Sequence, residues 1–127
     1  MDAIRRTLGW LLLLYALVFL LFGLLHAGIA IGPLSEPVIV PAAIVEPLCA
    51  VAALAGSYGA LRDRTWAWDG LVYSHAAALG GVLLGILALA FGDDSDATAL
   101  LTWYHNAMAV ALTAGLSGAF YVSRVRE

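Results

Sequence analysis

His26, Glu46, His75 and His105 lie inside runs that are otherwise leucine, alanine, valine and glycine. An ionisable side chain at membrane depth costs about 2.5–3.5 kcal/mol or more, so it turns to the protein interior, takes a partner and marks a functional position. Imidazole and carboxylate together can exchange a proton, hold a cation or ligate a divalent metal. Two imidazoles on facing helices can hold a b-type haem. Tyr104, His105 and Asn106 are consecutive in "TWYHNAMA", where a phenol and an amide flank the imidazole.

Depth sorts these groups. At 1.5 Å of rise per residue, His26 is roughly 30 Å from Arg6, His105 roughly 28 Å from Arg124 and Glu46 roughly 24 Å from Arg62. Three helices therefore bring three groups to the outer third of a bilayer, while His75, roughly 9 Å above Asp69, falls near the opposite surface. A helical wheel turns His26 inward between Gly23 and Ala30, and turns Glu46 inward with Ala42, Ala50, Ala53 and Ser57. His105 projects with Ala109, Leu112 and Leu116, and His75 with Val72, Leu79, Val82 and Ile86. Both are thus expected away from the small residues of their own helices, toward lipid, a second protomer or a gap in the bundle.

Pro47 follows Glu46 directly. Inside a helix it removes one amide donor and frees the carbonyl one turn earlier, at Ala43, which makes a small polar pocket beside the acid. The alternative is that Pro47 occupies the first turn of a shorter helix capped by Glu46.

The elements that must position these groups are four apolar segments near residues 8–31, 38–61, 70–91 and 98–122, each near the ~20 residues that cross a hydrocarbon core. The chain of 127 residues is 63% hydrophobic and 12% charged, above the roughly 45–50% apolar content of soluble domains. The expectation is an all-α, four-span transmembrane bundle forming one membrane domain over residues 1–127. The apolar run from Leu8 to Leu25 exceeds the ~7–15 residues of a signal-peptide core, so the first segment reads as a retained span.

All six basic side chains are arginines, at positions 5, 6, 62, 64, 124 and 126, and all fall on one side of this topology. The positive-inside rule makes that side cytoplasmic, with both termini inside and the plasma membrane as the expected location. The other side carries Glu36, Asp93, Asp94 and Asp96. Trp10, Trp103 and the "TWAW" loop fit interfacial anchors. With a net charge of −3 and no broad basic face, nucleic-acid binding is excluded. Cys49 is the single cysteine, so no internal disulfide or cysteine-based zinc site forms.

Small residues mark where membrane helices pack. Gly9, Ala16, Gly23 and Ala30 recur every seven residues in the first span, whose remaining leucines and phenylalanines place it at the bundle edge. Ala42, Ala50, Ala53, Ser57 and Ala60 give the second span a packing face. Gly70, Ala77, Gly81 and Ala88 do so for the third, and Ala107, Ala111, Ala114 and Gly118 for the fourth.

The functional expectation is a polar site of Glu46 and His26, joined by His105, Tyr104 and Asn106, serving proton-linked binding or transport of a small ligand or cation. Four spans are few for a transport path, so a homo-oligomer is expected in the bilayer. One alternative is a structural or accessory subunit of a larger membrane complex. Another is haem b or a divalent metal held by His26 and His105, with Glu46. No HExxH pair, nucleotide loop or nucleophile elbow is present, so an enzyme with a soluble-type catalytic site is not expected.

Overall fold

A computed structural model of the chain describes residues 2–92 and 98–125. Asp93, Asp94, Asp96 and Arg126 lie outside the described residues. The fold is all-helical: α1 (Asp2–His26), α2 (Val40–Leu61), α3 (Ala67–Phe91) and α4 (Ala99–Val125). Each of the four is long and apolar enough to cross a membrane. Consecutive helices pack side by side, and α1 also touches α3 and α4.

The sequence places the end of the first span near residue 31, whereas α1 stops at His26. Gly28 adopts a left-handed φ of +87°. The amide of Gly28 then donates to the Leu25 carbonyl at 2.9 Å and that of Ile29 to the Leu24 carbonyl at 3.0 Å. This Schellman pattern satisfies the last carbonyls of the helix and turns the chain out. Ala30 consequently leaves the seven-residue seam, and Gly9, Ala16 and Gly23 carry it alone.

The seam is close. A methyl group on Gly9 would stand 3.0 Å from Cβ of Ala60, and one on Gly23 would stand 3.2 Å from Cδ of Pro47. The expected edge position of α1 is not what forms. Half of its most apolar stretch is buried, against 22% for α3 and for α4. Leu12, Phe19 and Leu25 are enclosed because α1 supplies the bulk that fills the space left by the alanine face of α2.

Helix α2 runs through Pro47 without a break, with Pro41 in its first turn. The shorter helix beginning at Pro47 is therefore excluded. The ring is accommodated because the neighbouring residue on α1 is Gly23.

The two ends of the bundle differ. At one end Arg5 forms an ion pair with Asp63 in the α2–α3 turn and lies 3.8 Å from Asp2. Arg64 bonds to the Tyr58 hydroxyl and lies over its ring. At the other end the Thr98 hydroxyl accepts from the Leu101 amide at 3.1 Å, capping α4, and donates to Glu36 at 2.8 Å. That contact fastens the α1–α2 connection to the start of α4.

Candidate functional site

Nδ1 of His26 and Oε2 of Glu46 are 2.7 Å apart, joining the last turn of α1 to the second turn of α2. The two side chains are 1% and 7% exposed, so the bond is shielded from solvent on every side. Nε2 of His26 and Oε1 of Glu46 have no protein partner, although both atoms are buried. A buried polar atom left unmatched costs about 1–3 kcal/mol, which makes the two free atoms the sites where a proton, water or ligand gains most.

Tyr104 of α4 completes the enclosure. Its ring stacks on Phe22 with centroids 3.7 Å apart and planes 8° from parallel. Its hydroxyl is also buried, close to the Glu46 carboxylate but without a formed hydrogen bond to it. Cys49 lies one turn beyond Glu46 as a buried free thiol, against Gly81 of α3.

His105 is 8% exposed and lies near enough to Glu46 and His26 to feel both. Of the places the wheel allowed, lipid, a second protomer or a gap in the bundle, the gap is what forms, both for His105 and for His75, which is fully enclosed. Each ring occupies space made by a glycine on the opposite helix. A side chain on Gly85 would collide with the imidazole of His105, and one on Gly115 with that of His75. In both, Nδ1 donates to the carbonyl four residues earlier: Leu71 at 2.7 Å and Leu101 at 2.8 Å. Helix α4 accordingly buries Leu101, Tyr104, His105, Met108 and Leu112, and turns Ala107 and Ala114 outward. On α3 the buried face is Leu71, Ser74, His75, Ala78 and Val82, while Ala77 and Ala88 are exposed.

The site predicted from sequence therefore divides. His26, Glu46 and Tyr104 come together, His105 stands at their border, and Asn106 points outward from α4. Phe22 was not foreseen, and its spacing of one turn before His26 is the only trace of it in the sequence. Ring contacts run from His26 to Phe22 at 6.3 Å, to Tyr104 at 3.7 Å and to His105 at 4.8 Å. The stacked Phe22 and Tyr104 thus stand between the two imidazoles, and a haem does not fit between His26 and His105 in this arrangement. Among the described residues no three His, Cys, Asp or Glu side chains meet as metal ligands.

No protein-family model, curated protein or solved structure matches the chain.

Proposed function

We propose that this chain is an integral membrane protein in which His26 and Glu46 form a proton-binding pair coupled to the binding or transport of a small ligand or cation. The observation that carries the reading is the enclosed 2.7 Å bond between Nδ1 of His26 and Oε2 of Glu46, with the outer atom of each group unpartnered. The pair accepts or releases one proton at Nε2 or Oε1 without breaking the bond that joins α1 to α2. Tyr104 lies at hand to hydrogen-bond whichever form is present.

In this reading Arg5, Arg6, Arg62, Arg64 and Arg124 face the cytoplasm, both termini are inside, and the plasma membrane is the host. The polar pair then lies in the outer leaflet. The outward stripe of Ala107, Ala114 and Gly118 suits close approach of another helix. It supports assembly into a homo-oligomer, and equally the second reading, an accessory subunit of a larger membrane complex.

The test is proton uptake by the protein in proteoliposomes, read by the infrared carboxyl band of Glu46 and by internal pH during imposed cation and proton gradients. Wild type is expected to move protons and to change the Glu46 carboxyl band as it does so. Glu46→Gln is expected to remove the carboxyl band and, like His26→Phe, to abolish proton movement, each leaving helix content intact. Identical traces from wild type and Glu46→Gln would sink the proton reading and leave the accessory role.

A further inference from the structure

A second polar feature opens sideways between the outer ends of α3 and α4. It is a groove of about 240 Å³, lined by Ile86, Leu89 and Ala90 on one side and Thr102, His105 and Asn106 on the other. An apolar cavity of about 150 Å³ holds benzene, so this one has room for a substituted six-membered ring.

The donors and acceptors of the groove are fixed by local bonds. Nδ1 of His105 is committed to the Leu101 carbonyl, so the neutral imidazole presents a bare lone pair at Nε2. That nitrogen packs against Gly85, and the bond the ring makes among the described residues is the one from Nδ1 to the Leu101 carbonyl. Unlike Nε2 of His75, it is not among the fully enclosed unpartnered atoms. The Thr102 hydroxyl donates to the Thr98 carbonyl at 3.1 Å, which spends its proton and leaves only acceptor capacity. Asn106 alone can both donate and accept, and it is exposed.

An apolar slot rimmed by acceptors selects its ligand class. Anions meet the lone pairs of His105 and Thr102, with only the neutral Asn106 amide to donate to them and no cationic side chain in the lining. A full cation would lose its hydration against Ile86, Leu89 and Ala90 with no carboxylate in the lining to compensate. A neutral hydroxyl on an apolar ring satisfies both requirements, because it donates to Nε2 while the ring covers the apolar wall. We propose that this groove binds a lipophilic hydroquinone or phenol drawn from the bilayer, with one ring hydroxyl donating to Nε2 of His105 and Asn106 meeting the ring's second oxygen. The proposal rests on the membrane reading of the helices and not on protonation of Glu46.

The test uses an alkyl-hydroquinone, its dimethyl ether and the corresponding quinone, each titrated into the full chain in lipid nanodiscs. With three histidines in the chain, ¹⁵N imidazole spectra resolve each ring. The hydroquinone is expected to bind saturably and to shift Nε2 of His105 while sparing His75. The ether and the quinone lack the donor and are expected to bind roughly five- to ten-fold more weakly, the worth of one neutral hydrogen bond. His105→Phe should erase this preference. Asn106→Leu, at an exposed position that folding does not depend on, should weaken the hydroquinone several-fold. Glu46→Gln leaves every side chain that lines the groove in place and should keep the preference for hydroquinone over ether, which separates this site from the proton pair. Equal affinity for hydroquinone and ether, or full affinity in Asn106→Leu together with an unmoved His105 signal, overturns the proposal.

Discussion

The imidazole of His75 fills the space that a side chain on Gly115 would take, and the same relation recurs, inverted, between His105 and Gly85. Each histidine precedes the glycine of its own helix by ten residues, so the antiparallel pair α3–α4 is matched at both ends. Two histidine knobs in two glycine holes set this helix pair, in the way small residues let membrane helices approach.

Gly115→Ala is expected to lower stability by about 1–3 kcal/mol, because the added methyl meets an enclosed ring that has no free space to yield into. Gly80→Ala and Gly118→Ala should be neutral or stabilising by up to about 1 kcal/mol. Nothing stands within 4 Å of a methyl at either position, and alanine is the better helix former. Thermal unfolding in one detergent, followed by circular dichroism, compares the three. A Gly115→Ala midpoint equal to wild type would refute the knob-in-hole account.

Gly23 governs the approach of α1 to Pro47 and hence the His26–Glu46 bond. Gly23→Leu should force the helices apart and cost about 1–3 kcal/mol or more. It should also expose the bond, seen as a changed ¹⁵N signal of the His26 ring. Gly23→Ala, whose methyl would sit 3.2–3.6 Å from Pro47 and Glu46, should leave that signal near its wild-type position. Equal spectra for Gly23→Leu and wild type would show that the bond does not depend on this seam.

Removing one partner of the buried pair should hurt more than removing both. Glu46→Leu leaves the Nδ1–H of His26 unmatched, at about 1–3 kcal/mol. Adding His26→Phe should recover part of that loss, with a coupling of roughly 0.5–2 kcal/mol between the sites. Glu46→Gln keeps an acceptor oxygen and should cost least. Additive losses in the four-member cycle would mean the two groups do not support one another.

At the arginine end, Asp63 combines two effects that substitutions can separate. Its φ of +52° is left-handed, which asparagine and glycine tolerate and a β-branched residue does not. Asp63→Asn removes only the charge paired with Arg5. Because the Asp63 side chain is 79% exposed, the loss should stay below about 1 kcal/mol and shrink as salt is added. Asp63→Val should cost about 1–2 kcal/mol more at every salt concentration. Denaturation at low and high ionic strength measures both.

Four membrane-length helices and the shared inward face of His26 and Glu46 were legible in the sequence because each depends on one helix at a time. Hydropathy fixes a span, and a wheel finds the alanines beside Glu46. The burial of His75 and His105 was not legible in that way. Their own helices show those rings opposite the small stripes, and the room for them is made by Gly115 and Gly85 on the neighbour. Pro47 was ambiguous for the same reason, since its place in mid-helix is allowed by Gly23 on α1. The stop of α1 at His26 was within reach, because Gly28 in "HAGIAIG" is a recognisable C-terminal signal.

The paired histidine–glycine contacts also act as a ratchet. Sliding α4 one turn along α3 would set the His75 ring against Ala111 or Ala119, where a methyl already stands, and would unseat His105 in the same step. Helices α3 and α4 are therefore locked in register, and the bond from Thr98 to Glu36 fastens the α1–α2 connection to the start of α4, so the register of that pair also fixes where the connection is held.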